Sequence, residues 1–310
     1  MSSNFKLRIG SRTSKLALSQ VAEFHLLLAQ HHPEIKVEIV PITTSGDKIQ
    51  DRNLADIGGK GLFIKELEEA LLQNKIDIAI HSAKDVPPQI SDKTTIAAFT
   101  ERMDARDCLV SEKYKSIKDL PKNAVIGTSS ARRKAILLRL RPDLKIVNFR
   151  GNVDTRLSKV AGGEVDGAIL ALCGLIRIGK ERLVKEIIEK KKILPAVGQG
   201  CLAIQARSND KKILEILAKV NDEKTQIEVK CERAFLRELG ASCASPVAVH
   251  AQVDGDKLIL ETAIIDYDGK EIFESKSKSK ANLKDAIELG KKAAQTTKNK
   301  AEKLLKKITS

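Results

Sequence analysis

The sequence predicts an α/β protein with a smaller α+β unit in its C-terminal part. Three observations carry that reading. Strand-like and helix-like apolar patterns alternate through the first two-thirds of the 310 residues, which implies strands joined by helical crossovers. A strand ending Ile-Gly, then Ser/Thr residues and a basic helix start, occurs as IGSRTSKLAL (Ile9 to Leu18) and again as IGTSSARRKAIL (Ile126 to Leu137). After about Asn209 the alternation gives way to two helices, two or three strands and a last helix.

Taken in order, Leu7 to Gly10 ends a strand, Leu16 to Ala29 has the apolar period of a helix, and Val37 to Ile42 reads as a strand. Leu62 to Gln73 is helical, with apolar residues at 62, 63, 67, 70 and 71. Ile76 to Ile80 and Thr95 to Phe99 are strands. The second cycle runs strand Ala124 to Gly127, helix Arg132 to Leu140, strand Lys145 to Phe149, helix Asn152 to Val160 and strand Gly167 to Leu172. Lys211 to Val220 and Thr225 to Leu239 are helices, and the GASCASP loop follows. Val247 to Val253 and Leu258 to Asp266 are strands joined by DGDK. In open α/β sheets ligands bind beyond the carboxyl ends of strands. Helix N-termini lined with Ser, Thr and free N–H groups are anion sites. Two such lobes facing each other predict a cleft for an anionic ligand.

Composition narrows the function. Apolar residues make up 42 % of the chain and charged residues 31 %, as in ordinary globular proteins. No apolar run reaches the roughly 18 residues of a membrane span, and MSSNFKLRIGS has no apolar signal core, so a cytoplasmic protein is expected. Five scattered cysteines without a CxxC pair predict neither a disulfide framework nor a metal site. The net charge is +14. Lys270 to Ser310 holds twelve lysines and five acidic residues, about half of that excess, mostly on an amphipathic helical stretch that reads as a solvated face.

Four groups of residues are candidates for chemistry. Arg12, Arg132, Arg133, Arg150, Arg156 and Arg177 follow strands or open helices. Their rigid forks suit carboxylates or phosphates, and six of them point to a ligand with several acidic groups; surface ion pairing is the plainer alternative for any one. Aromatics do not interleave with these charges, which disfavours nucleic acid. Two segments are glycine-rich, IGGKGLF (Ile57 to Phe63) before a helix and PAVGQG (Pro195 to Gly200) after the second lobe; IGGKGLF lacks phosphate-loop spacing, and a mobile loop or a hinge is expected rather than a nucleotide cradle. Cys243 stands among small residues and is either an accessible thiol or an incidental loop cysteine; the other cysteines lie in apolar runs or a helix. In DIAIHSAKDVPP an apolar strand stops at His81, Ser82, Lys84 and Asp85. The following Val-Pro blocks helix continuation, and Asp85 is either a turn residue or a carboxylate aimed at a ligand.

Together, RIGSRTSKLALSQ, TTSGD, GGKGLFIKELE, AIHSAKDVP, GTSSARR, LRPDL, RGNVDTRLSK, GAILALCGLIRIG, PAVGQG and the GASC loop closely resemble the porphobilinogen deaminase (hydroxymethylbilane synthase) family, in family order from residue 8 to residue 243. The resemblance implies two lobes like those of solute-binding proteins, doubly wound with mixed sheets, plus the small α+β domain. It implies a discontinuous first domain, 1–100 plus 200–218, a second at 101–199 and a third at 219–310. It implies a transferase of haem biosynthesis that condenses four porphobilinogen molecules, each losing ammonia, and releases hydroxymethylbilane by hydrolysis.

The same resemblance makes Cys243 the thioether attachment point of a dipyrromethane primer and Asp85 the catalytic carboxylate. Each pyrrole carries an acetate and a propionate. Arg12, Arg132, Arg133, Arg150, Arg156 and Arg177 are then expected on those carboxylates, supported by Ser14, Asp47, Ser82, Lys84, Thr128 and Ser130. Lys60 and Phe63 belong to the mobile loop. Asp56 and the G-A-S-C form of the cysteine loop depart from the commoner family pattern. A monomer without metal, nucleic acid or membrane is expected. A two-lobed anion-binding protein without catalysis, or a basic nucleic-acid binder, are the rival readings.

Overall fold

The fold is that of a computed structural model in which residues 5–45, 64–242 and 244–309 are described. Strand β1 (Lys6–Ser11) leads into α1 (Lys15–His31) and β2 (Lys36–Pro41). Helix α2 (Lys65–Leu72), β3 (Ile78–Ser82), a 3-10 turn (Ala83–Asp85) and β4 (Thr94–Phe99) come next. Then follow β5 (Asp107–Val110), β6 (Val125–Gly127), α3 (Ala131–Leu140), β7 (Lys145–Val147), α4 (Val153–Ala161), β8 (Gly167–Ala171), α5 (Leu172–Arg177) and β9 (Val184–Ile187). The remaining elements are β10 (Leu202–Arg207), α6 (Lys211–Val220), α7 (Glu223–Leu239), β11 (Val247–Asp254), β12 (Lys257–Ile265), β13 (Ile272–Lys280), α8 (Leu283–Lys300) and α9 (Glu302–Thr309). They form two compact units, Met1–Arg102 with Cys201–Gln226, and Met103–Gly200 with Ile227–Ser310.

The first unit is built on a five-stranded sheet in the order β2-β1-β3-β10-β4. β1 runs parallel to β2 and β3, while β10 runs antiparallel to β3 and β4. The mixed sheet is what a strand arriving late in the chain produces. Helix α1 starts where Ser14 accepts from Ala17 N–H at 3.3 Å, a side-chain cap for an orphan donor. It buries Val21, Phe24 and Leu28 at helical spacing against Leu7, Ile9, Ile78 and Ile80 of the sheet and Ile213, Leu217 and Val220 of α6. At the other end of the sheet Asp77 accepts from Arg8 N–H (2.9 Å), Nε (3.1 Å) and Nη2 (2.7 Å). Burial would raise this carboxyl, but the Arg8 guanidinium outweighs it and holds Asp77 below the usual carboxylate range. Asp77 is a structural clamp that fixes where β3 begins.

The second unit contains a sheet in the order β7-β6-β8-β5-β9, and a three-stranded antiparallel sheet, β11-β12-β13. Alternation along β11 and β12 decides which side each residue faces. Ala248, Ala263 and Ile265 share a core with Ile126, Ala135, Ile136 and Ile169. Val249, Ala251, Leu258 and Leu260 pack with Phe235 and Leu236 of α7 and Leu289 and Ala293 of α8. The turn after β12 approaches α3 closely: Gly269 has φ +73°, and a Cβ there would stand 2.4 Å from the Ala135 carbonyl. β13 carries Lys276, Lys278 and Lys280 on the open edge of its sheet, which opposes strand addition by another chain.

Candidate active site

In the first unit the parallel strands β1 and β3 end on the same edge of the sheet. Arg12 follows β1, and Ser14 caps α1. β3 is buried through His81 and reaches half exposure at Ser82. Ser82 Oγ accepts from Gln20 Nε2 at 2.7 Å, which ties α1 to the end of β3. The chain then makes the 3-10 turn Ala83–Asp85, held by Ala83 N–H on the Cys201 carbonyl (3.0 Å) and Val86 N–H on the Ala83 carbonyl (3.3 Å). Ala83 is buried, Lys84 half-buried and Asp85 exposed. A carboxylate is thereby presented on a fixed turn at the carboxyl edge of the sheet. Arg12, Ser14, Ser82, Lys84 and Asp85 share that edge. Asp47, Lys60 and Phe63 lie outside the described residues.

Under this turn runs a buried polar chain. His81 Nε2 lies 2.9 Å from Gln205 Oε1. Gln205 Nε2 donates to Glu68 Oε1 (2.7 Å) and Thr94 Oγ1 (2.9 Å). With its Nε2 given to Glu68 and Thr94, Gln205 turns its amide oxygen to His81, and Nε2 of His81 carries the proton. Burial pushes the imidazole down to about 4, against the opposing pull of the Gln205 bond and of Asp85 and Glu68, so His81 is neutral at ordinary pH.

In the second unit β6, β7 and β8 are parallel and their carboxyl ends also share one edge. Thr128 is buried, and its Oγ1 accepts from Ser130 N–H at 3.2 Å. Ser130 caps α3 and accepts from Arg133 N–H at 3.4 Å. Arg150 follows β7, and Arg156 lies on α4, its Nε donating to the Gly151 carbonyl at 2.9 Å. Arg177 ends α5 rather than opening a helix, and its Nη2 donates to the Gly200 carbonyl at 3.1 Å.

Arg132 and Arg133 point inward. They are 3 % and 6 % exposed and converge on Asp107, which is fully buried. Arg132 Nη2 donates to Asp107 Oδ2 (2.8 Å), and Nη1 to the Leu194 carbonyl (2.6 Å). Arg133 Nε (3.2 Å) and Nη2 (2.7 Å) both donate to Asp107 Oδ1, and Nη1 to the Ile169 carbonyl (3.0 Å). Gln199 Nε2 adds a further bond to Oδ1 at 2.8 Å. Burial would raise the Asp107 carboxyl, but the two guanidinium charges and these bonds hold it far below the usual range.

Sequence reasoning did not single out Asp107, Gln199 or the buried Glu232. Glu232 accepts from Gly198 N–H (2.7 Å) and Ala251 N–H (2.8 Å), so the PAVGQG segment is fastened within its unit. Gly198 and Gly200, at φ +66° and +110°, supply the backbone this path needs. An aspartate opening the apolar run DCLV and a glutamine between two glycines were the available signals.

Cys243 lies outside the described residues. Its loop leaves α7 through Gly240 (φ +76°) and is turned by Ser245 N–H on the Ser242 carbonyl at 3.1 Å. Cys108, Cys173, Cys201 and Cys231 are buried, and burial pushes the Cys108 thiol up to about 12. Among the described residues no group of three or more His, Cys, Asp or Glu is placed to hold a metal ion, and no helix is long and apolar enough to cross a membrane.

Residues 7–215 match a family model described as porphobilinogen deaminase, dipyromethane cofactor binding domain, and residues 226–299 match the porphobilinogen deaminase C-terminal domain. A porphobilinogen deaminase of Nitrobacter hamburgensis is 45 % identical over 94 % of the chain and 93 % of its own length. One of Rickettsia akari is 45 % identical over 96 % of the chain and 99 % of its own. Among solved structures, a periplasmic substrate-binding protein of an ABC transporter from Coxiella burnetii superposes with a TM-score of 0.45 at 16 % identity, covering 69 % of the chain and 91 % of its own.

Proposed function

We propose a function from one premise: the chain belongs to the porphobilinogen deaminase family. It is a transferase of the hydroxymethylbilane synthase type. In this reading it joins four porphobilinogen molecules head to tail with loss of ammonia and releases hydroxymethylbilane by hydrolysis. The rival reading of a non-catalytic anion-binding protein is set aside, because relatives named as deaminases match over nearly their whole length. The observation that carries the proposal is Asp85, an exposed carboxylate on a pinned turn at the end of a buried strand.

Asp85 accepts a hydrogen bond from the substrate pyrrole N–H. As the aminomethyl C–N bond breaks and ammonia leaves with the bonding electrons, the pyrrole nitrogen lone pair pushes in and positive charge develops there. A fixed carboxylate stabilises that charge and assists proton movement. Arg12 and Lys84, with Ser14 and Ser82 beside them, neutralise substrate acetate and propionate.

The second unit fits an acidic pyrrole-bearing group. Two buried guanidinium cations face one carboxylate, a net charge of +1, and Arg132 Nε is buried without a partner among the described residues. Dipyrromethane, held through a thioether at Cys243, supplies the primer to which substrate is added. Thr128, Ser130, Arg132, Arg133, Arg150, Arg156 and Arg177 hold carboxylates, with Asp47, Lys60 and Phe63 in supporting places. The protein works as a cytoplasmic monomer of three domains, 1–100 plus 200–218, 101–199 and 219–310.

Intact-protein mass spectrometry tests the assignment. Purified wild type is expected to carry the mass of two linked pyrroles, and Cys243→Ser to lack it. Asp85→Asn keeps the adduct and loses nearly all turnover. Active wild-type protein with an unmodified mass, or Asp85→Asn at the wild-type rate, would sink the proposal.

A further inference from the structure

We propose that a hollow at the C-terminal end of α3 is a binding site for a small anion that carries two or more acidic groups on an apolar body. The hollow has a volume of about 660 Å³ and lies within the second unit. Four cations line it from four segments: Arg139 from the last turn of α3, Lys270 from the turn between β12 and β13, Lys300 from the end of α8 and Lys303 from the first turn of α9. Among the described residues no carboxylate stands within 4.0 Å of any of these cations. Two carboxylates also line the hollow, and both are engaged by lysines that do not: Glu302 by Lys306 at 2.6 Å, and Glu271 by Lys307. The lining therefore keeps positive charge that the protein does not itself neutralise. Ile272, Phe273 and Leu304 give the hollow an apolar side, with Leu304 buried and the other two half-buried.

The walls are held in place. Gly269 (φ +73°) brings the β12–β13 turn against α3, and a Cβ there would stand 2.6 Å from the Arg139 backbone nitrogen. Lys270, the next residue, is thereby kept beside Arg139, so a backbone contact brings two like charges together. Such charges repel, and a multivalent counter-anion removes that cost. Across the hollow, Tyr267 Oη donates to the Ile308 carbonyl at 3.3 Å, which ties the same turn to α9. A solvated lysine face is the plainer reading of surface cations, but such a face lies along one element, whereas these cations converge from four. Arg139 offers a planar fork that takes a carboxylate or phosphate with two parallel bonds. It ends the helix whose first turn carries Arg132 and Arg133, about 10 Å away along the axis. An anion in the hollow therefore leaves the carboxyl edge of the β6–β8 sheet free.

Amide NMR spectra of the isotope-labelled full chain, as purified, test the proposal. Exposed cations are screened by salt, so ionic strength is held constant with sodium chloride. The probe is trimesate, three carboxylates on a benzene ring. Tripolyphosphate is the comparison, charge without an apolar body. Trimesate is expected to give saturable shifts at the amides of Lys270 and Leu304. Arg139→Gln/Lys303→Gln weakens that saturation by at least about tenfold. Lys278→Gln removes an exposed lysine of β13 outside the hollow and leaves the saturation unchanged. If the double variant does not fold, Lys270→Gln/Lys300→Gln is measured by the same criteria, read at Leu304. Shifts that grow without saturating overturn the proposal. So do shifts confined to the residues around Ser130, where the anion has gone to the reaction site alone. Saturation that survives the loss of two cations, or an equal weakening in Lys278→Gln, overturns it as well. Saturation by tripolyphosphate at an equal or lower concentration overturns the part given to the apolar side.

Discussion

In the first unit the strand beside β3 is β10, and in the second the strand beside β8 is β5. Both run antiparallel to their neighbours, next to three parallel strands. Both carry a fully buried polar residue, Gln205 on β10 and Asp107 on β5. Around Gln205 the chain of partners is a neutral histidine, a threonine and a glutamate. Around Asp107 it is two arginines and a glutamine. Sheets of the same wiring thus enclose opposite chemistries. The wiring fixes where side chains arrive, and the partners gathered around the inserted strand, a glutamate in one unit and two arginines in the other, set the local charge. A turn exposing an anion in one unit and a surplus of cations in the other are two outcomes of one scaffold.

The contrast can be broken most forcefully at the inserted strands. Asp107→Ala strands two buried guanidinium groups and is expected to cost about 3–5 kcal/mol, read from denaturant unfolding. Gln205→Ala leaves Glu68 and His81 short of a partner and costs roughly 1–3 kcal/mol. Equal losses would mean that charge does not distinguish the two sites. A smaller effect concerns the Ile-Gly strand ends. A Cβ on Gly127 would meet the buried Phe149 ring at 2.5 Å, whereas on Gly10 it meets the far end of Ile76, which can turn away. Gly127→Ala should therefore destabilise by about 1–3 kcal/mol and Gly10→Ala by less; the reverse order in thermal midpoints would refute that account.

Acid sharpens the comparison with the smallest effect. His81 is lowered from 6.5 to about 4 by burial. Its contribution to stability is therefore complete above pH 6.5 and is lost as pH falls toward 4, by roughly 1 kcal/mol between pH 7 and 5.5. Asp107 is also lowered, so its contribution survives until pH drops below 3.8, its ordinary value. Hydrogen exchange at pH 5.5 is expected to show weakened protection of β3 and β10 amides and unchanged protection of β5 and β8. His81→Gln should abolish the difference, and its persistence there would exclude His81 as the cause.

Much of this was legible in the sequence. The repeated Ile-Gly motif became two strand ends followed by serine-capped helices, Ser14 on α1 and Ser130 on α3. The stop in DIAIHSAKDVPP became the turn that exposes Asp85. What escaped were β5 and β9, of four residues each, and β10, six residues long, whose antiparallel place between β3 and β4 depends on partners distant in the sequence. Asp107 in particular argues locally against a strand, because its burial is tolerable only once α3 supplies two guanidinium groups. Arg132 and Arg133 were readable as basic residues at a helix start, but their inward direction depends on that distant partner. The PAVGQG segment is held within its unit through Glu232 and Gln199, contacts that no local pattern encodes.

The position of β10 also dictates an order of assembly during synthesis. The five-stranded sheet of the second unit has all its strands once Ile187 has emerged, whereas that of the first unit waits for Arg207. Of the two five-stranded sheets, the one begun first is thus the later to close. Until then β3 and β4 expose unpaired edges, a hazard for a nascent chain, and a ribosome that pauses between residues 187 and 202 would hold one finished sheet beside one open one.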